Sequence, residues 1–179
     1  MQILKKILIA VVALIVLALV AALFVNKEYA VQREITINKP RSEVYNYLKL
    51  LRNQDEFSVW ATRDPNMKKG FRGTDGSVGF VSYWDSESDD VGAGEQEIMG
   101  MTEGERIDYE LRFFRPFEAT DNAYLITETI SENETKVKWG FDGKMEYPMN
   151  LMLLFMDMEE MLGGDLQTGL DRLKVNLEQ

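Results

Sequence analysis

The chain has 179 residues, 20 Lys and Arg against 30 Asp and Glu, a formal net charge of −10, no His and no Cys. Such an acidic surface repels nucleic-acid phosphates and anionic headgroups, which argues against a nucleic-acid partner and against a polybasic membrane-binding face. Without Cys there are no thiol nucleophiles, disulfides or Cys-metal sites. Without His the commonest general base, the commonest metal ligand and every Ser-His-Asp arrangement are gone, so any chemistry would run on Asp, Glu, Tyr, Lys or Arg.

Residues 7–25, ILIAVVALIVLALVAALFV, are one apolar run without charge, Gly or Pro. At about 1.5 Å rise per residue the run makes a helix about 28 Å long, close to the ~30 Å hydrocarbon thickness of a bilayer. The expected organisation is a short basic tail at 1–6, a transmembrane helix at 7–25 and one globular domain at 26–179. A cleaved signal peptide is the competing reading, with Val20, Ala21 and Ala22 as its small-residue site. The run, however, exceeds the roughly 7–15 residues of a signal core, and no turn residue precedes that site. A buried core helix would show a polar stripe, and none is present. Lys5 and Lys6 favour a single-pass protein with a cytoplasmic N-terminus and its domain on the outer, periplasmic side of a bacterial inner membrane. Lys27, Arg33, Lys39 and Arg41, just beyond the run, weaken that bias.

Residues 29–37 alternate, with Val31, Ile35 and Ile37 on one face, and read as a strand. Pro40 sets the first turn of a helix over 41–51, with Val44, Tyr45, Leu48 and Leu51 at helical spacing. A short helix or turn at 53–60 and a turn at Asp64-Pro65-Asn66 follow. Six strands succeed one another at 67–72, 77–84, 94–101, 106–114, 122–131 and 135–145. Asp75-Gly76, Glu103-Gly104 and Glu132-Asn133 are hairpin signals between them. Tyr147-Pro148 ends the strand run, and an amphipathic helix is expected over 150–178. Gly163, Gly164 and Gly169 lie within it, each costing about 1 kcal/mol relative to Ala. They imply either close approach of helix to sheet or a local break at Gly163-Gly164. The acidic stretch at 86–90 reads as an exposed loop.

Six segments in this order resemble the START-like, or SRPBCC, superfamily in its polyketide cyclase/dehydrase and lipid-transport branch. They are REITINKPRSEVYNYLKLLRN at 33–53, GSVGFVSYWDS at 76–86, GAGEQEI at 92–98, ERIDYELRFFRPFEA at 105–119, KVKWGFDG at 136–143 and LGGDLQTGLDRLK at 162–174. The resemblance covers residues 29–179 and extends to members with an N-terminal hydrophobic anchor. It implies an α+β helix-grip fold, a curved antiparallel sheet in the order β-α-α-β6-α wrapped around a long C-terminal helix. It also implies a cavity between sheet and helix for a lipid or another apolar molecule.

Alternation assigns inward faces to Ile107, Tyr109, Leu111 and Phe113, to Val137, Trp139 and Phe141, and to Leu125 and Thr127. At 77–84 two faces compete: Phe80, Ser82 and Trp84 share one, Val81 and Tyr83 the other. Half of the ten Met fall at 149, 152, 156, 158 and 161, and Met recurs on surfaces that accept varied apolar ligands. The candidate cavity lining is therefore Phe80, Tyr83, Trp84, Met99, Tyr109, Leu111, Phe113, Tyr124, Trp139, Phe141, Met152, Phe155 and Met156. Each of these side chains also has a plain reading as core. Tyr83, Tyr109, Tyr124 and Ser82 offer hydroxyls to a ligand, and Glu95 or Glu97 could turn inward unless both are solvated. No catalytic, metal or cofactor constellation is recognisable. Three functions are compatible with this pattern: a membrane-tethered carrier or sensor of an apolar small molecule or lipid; a cyclase or dehydrase working through Tyr or a buried Glu; and a module with a filled core whose partner is a protein.

Overall fold

The computed structural model describes residues 2–88 and 90–179. The first element, α1 (Gln2–Ala22), is long and apolar enough to cross a membrane and is exposed along most of its length, with Ala18 half-buried and Ala22 buried. It closes three residues before the end of the apolar run. There the Asn150 side-chain amide donates to the carbonyls of Ala22 (2.7 Å) and Val25 (3.0 Å), taking up two acceptors that a helix end leaves open.

The domain follows in the order β1 (Glu28–Ile37), α2 (Arg41–Leu48), a 3₁₀ turn Leu51–Asn53, α3 (Gln54–Phe57), α4 (Val59–Arg63), β2 (Lys68–Arg72), β3 (Val81–Asp85), β4 (Ala93–Thr102), β5 (Arg106–Arg115), β6 (Ala119–Ser131), β7 (Glu134–Lys144), a 3₁₀ segment Met149–Leu154, and α5 (Met158–Glu178). The strands form one antiparallel sheet, β1-β7-β6-β5-β4-β3-β2. This is the helix-grip architecture, with α5 lying chiefly against β1 and the short helices α3 and α4 against α5. The expected helix at 53–60 is divided at Ser58, whose backbone is extended.

Two boundaries differ from the sequence expectation, each for a local reason. Asp75-Gly76 is not a tight hairpin. The Asp75 carboxylate instead accepts from the backbone N–H groups of Leu51 (2.8 Å) and Gly76 (2.9 Å), tying a long β2–β3 connection to the preceding 3₁₀ turn. The last helix begins at Met158 rather than at 150, because the Asp157 side chain caps it by accepting from Glu160 N–H (3.0 Å). It then runs unbroken through Gly163-Gly164. Gly169 makes the close approach expected of it: a Cβ there would lie 2.6 Å from the Trp139 ring.

Directly opposed residues in an antiparallel sheet share a face. The inner face therefore reads Val31, Phe141 and Ala123 across one line, Leu125 and Trp139 across the next, and Leu111 opposite both Gln96 and Asp121. Ile37, Leu48, Phe57, Phe80, Ile98, Ile107, Tyr109, Leu125, Leu170 and Leu173 seal a continuous core around α5. Arg33 holds the first turn of α5. It pairs with the Glu159 carboxylate and donates to the Glu159 carbonyl (2.9 Å), and its guanidinium fills the space where Gly163 has no side chain.

Candidate functional site

The core does not fill the space between the sheet and α5. A cavity of about 380 Å³ remains, toward the lower end of the range for small-molecule sites. Its sheet wall is Trp84, Leu111, Phe113, Trp139 and Phe141, all placed there by strand alternation. Leu162 and Leu166 of α5 face this wall, and Gln54, Ser58 and Trp60 close the side under α3 and α4. The aromatics brace one another. Trp60 and Phe57 meet Trp139 edge-on at 6.1 and 5.4 Å between ring centroids, Trp84 meets Phe113 at 5.9 Å, and Tyr29 stacks on Phe141 at 6.2 Å. All three Trp of the chain line this cavity.

The other expected lining residues lie elsewhere. Phe80 and Tyr109 are fully buried beneath the cavity, Phe80 stacked on Phe71 at 5.9 Å. Tyr83 touches the cavity wall, but its ring crosses Gly70 on the outer face and stacks under the Arg72 guanidinium. Tyr124 is also outside: it alternates with buried Ala123 and Leu125, packs over Gly140, and donates to Gln32 Oε1 (2.9 Å). Met99 is the extra residue of a β-bulge between Ile98 and Gly100 and is half exposed. The late start of α5 moves Met152, Phe155 and Met156 off the cavity. Met152 and Phe155 are exposed on the 3₁₀ segment and just after it, and Met156 lines a separate open groove between residues 24–31 and 153–159.

Glu95 and Glu97 point outward, into an ion-pair network centred on Arg112. That guanidinium donates to Glu95 (2.8 Å) and Glu97 (2.5 Å) and pairs with Glu110, while Arg72 donates to Glu95 (2.6 Å). Burial pushes the Glu95 carboxyl up, but the two guanidinium hydrogen bonds outweigh it and hold the group below its ordinary range.

Two polar features of the cavity escaped the sequence reading. Asp121 is buried on the inner face of β6, where it accepts from Lys144 N–H (3.0 Å); burial raises its carboxyl above the ordinary value. Tyr29 stands near it, its phenol pushed up to about 12 by burial and then by the Asp121 charge. The signal was present in the pattern, because Asp121 is in phase with the inward residues Leu125 and Thr127. Gln54 is the second feature. Its side chain lines the cavity, but its Nε2 is itself buried and has no hydrogen-bond partner among the described residues. The Tyr109 hydroxyl lies beside it, its acidity suppressed by burial. Among the described residues no group of three or more carboxylates is arranged to hold a metal ion. The site is a mostly apolar chamber with a buried carboxylate, Asp121, in its wall.

No protein-family model and no curated protein matches the sequence. Solved structures match in fold. Norcoclaurine synthase from Thalictrum flavum, solved in complex with dopamine and hydroxybenzaldehyde, is 9% identical, with 85% of this chain and 88% of that chain covered at a TM-score of 0.63. A Nitrosospira multiformis protein is 18% identical, with 83% and 96% covered at 0.58. The Aha1 protein of Colwellia psychrerythraea, a dimer in solution, is 14% identical, with 84% and 96% covered at 0.56. These matches show the fold: the domain has the helix-grip architecture.

Proposed function

We propose that the protein is a membrane-anchored carrier or sensor that holds one apolar small molecule or a single lipid chain in the cavity between sheet and α5, without chemistry. The observation that carries this reading is the cavity itself, walled chiefly by aromatic and aliphatic side chains. Apolar burial against these walls supplies the binding free energy, about 25 cal/mol per Å² of apolar surface removed from water. α1 supports the anchor, and Lys5 and Lys6 support an outer-side domain. The empty chamber weighs against a protein-binding module with a filled core. A second reading, acid–base chemistry of cyclase or dehydrase type, is favoured by one observation: Asp121, with its raised pKa, stands beside Tyr29 in the cavity.

Native mass spectrometry of the full chain, released from nanodiscs made of host membrane, tests the proposal. The expected result is one bound apolar molecule per chain that survives stripping of the lipid shell and is lost in Leu111→Trp, which fills the chamber from its wall. A folded Leu111→Trp protein that keeps the same adduct, or a wild-type chain that stays bare, would overturn it.

A further inference from the structure

The antiparallel sheet has two ends; the cavity lining reaches one of them as well as the flank under α3 and α4. The end where β1 begins (Glu28) also carries the end of β7 (Lys144), the start of β6 (Ala119), the end of β5 (Arg115), the start of β4 (Ala93) and the end of β3 (Asp85). Tyr29, Val91, Pro116, Phe117, Ala119 and Asp121 of the cavity lining all lie at this end. The opposite end is closed by the fully buried Phe80, Ile98 and Ile107. The open end is also where the chain arrives from α1. Only residues 23–27 separate the two elements, a reach of at most about 17 Å. That short link is not slack, since Asn150 bonds both Ala22 and Val25 and fixes the end of α1 against the segment that precedes α5.

Large apolar side chains are exposed at this same end. Phe24 is 85% exposed, Phe155 88%, Leu154 61% and Phe117 74%. Phe24 follows α1, Leu154 and Phe155 flank the Asn150 tie, and Phe117 tips the β5–β6 hairpin across the cavity mouth. Exposed patches of this kind mark surfaces that are covered in use. The basic side chains among them are all paired: Glu146 bridges Lys27 (3.7 Å) and Lys144 (2.6 Å), and Arg115 pairs with Asp85, while Glu28, Glu118 and Asp157 have no ion pair among the described residues. Acids outnumber bases at this end, so among the described residues no cationic collar recruits anionic headgroups there.

We infer that the cavity mouth is seated on the bilayer that α1 spans. Phe24, Leu154, Phe155 and Phe117 dip into the boundary between headgroups and acyl chains, so that an apolar ligand passes between membrane and cavity without crossing water. The inference rests on the anchor and cavity reading above and adds the orientation and the route. The occupant of the exposed face is lipid. Phe and Leu bury their apolar surface at that boundary, and the seat is held by apolar burial rather than by charge.

The absence of Cys makes the test direct. The full chain in phosphatidylcholine nanodiscs carries one environment-sensitive fluorophore at a time, through Phe117→Cys, Phe155→Cys, Leu14→Cys within α1, or Glu132→Cys on the β6–β7 turn at the far end of the sheet. The lipid contains acyl-chain quenchers. The expected result is loss of most of the emission at positions 14, 117 and 155 and none at 132, unchanged in high salt. Quenching at 14 with positions 117 and 155 as bright as 132 would overturn the seating while leaving the anchor intact. A bright probe at 14 would overturn the anchor and the seating together. Quenching at 117 that vanishes in high salt would overturn the apolar mode of contact. All four substitutions fall on exposed side chains, and near-ultraviolet circular dichroism of each labelled protein confirms the fold.

Discussion

The contact between α5 and the sheet can be tested with two glycines of the same helix. A Cβ built at Gly169 would lie 2.6 Å from Trp139 Cζ3 and 3.4 Å from the Phe57 carbonyl, whereas a Cβ at Gly164 meets nothing within 4 Å. Carbon atoms pack at about 3.5–4.0 Å, so Gly169→Ala forces either α5 or the Trp139 ring to move by roughly 1 Å. Ala gains about 1 kcal/mol over Gly in a helix interior, and overpacking costs typically 1–3 kcal/mol. Gly164→Ala is therefore expected to stabilise the domain by about 1 kcal/mol, and Gly169→Ala to be neutral or to destabilise it by up to about 2 kcal/mol. Because Trp139 lines the cavity, only Gly169→Ala should also shift the native Trp emission. Guanidinium unfolding of the full chain in micelles, followed by Trp fluorescence, measures both quantities. Equal stabilisation by the two substitutions would refute the close helix–sheet packing.

Three further outcomes are expected. Arg112→Ala leaves Glu95, Glu97 and Glu110 without their common partner and should cost about 1–2 kcal/mol at neutral pH, in line with half-buried charged hydrogen bonds. Because the Glu95 pKa is lowered on folding, its contribution is present above the ordinary carboxylate pKa and is lost as pH falls through the folded value, so wild type and variant converge in acid. Asp121 has the opposite sign. Its folded pKa is raised, so the wild type loses stability as pH rises from the ordinary value through the folded one, and Asp121→Asn should be more stable than wild type above that interval and similar below it; urea midpoints across pH measure this. Asn150→Leu strands the Ala22 and Val25 carbonyls and should raise the rate of proteolytic cleavage at 23–27 several-fold without changing the domain's unfolding midpoint; an unchanged cleavage rate would contradict the tie.

Alternation made most of the cavity wall legible. The phase of residues 107–113 and 137–141 placed Leu111, Phe113, Trp139 and Phe141 correctly, because each strand is buried on one face only. The same rule, followed through β6, excludes Tyr124 from the interior and places Asp121 there. The signal was available, but a charged residue in an inward phase reads against composition. Met99 lay beyond the reach of periodicity, since a bulge resets the phase and depends on cross-strand geometry. The cluster at 149–161 misled for a related reason. Its apolar spacing suits a helix, but the Asp157 cap starts α5 late, and the exposed side chains before it face outward near the end of α1. Gln54, a short-helix residue with no periodic signature, became visible only as an unpartnered atom in three dimensions.

The way α5 is fastened makes the chamber mechanically lopsided. The helix is lashed to β1 at both ends, by Arg33 to Glu159 near its start and by the Asn38 N–H to the Glu178 carboxylate (2.6 Å) near its finish. The far flank is β2 and β3, five residues each, with β2 an open edge. Any widening strains this flank and the short helices beside it before it strains the long strands β5, β6 and β7. In the proposed carrier, occupants of different girth would be accommodated by flexing this flank while α5 keeps its seat, so selection by width would be soft. Hydrogen exchange that is fastest in β2 and β3 and slows there when the chamber is full would be the signature of such a hinge-sided container.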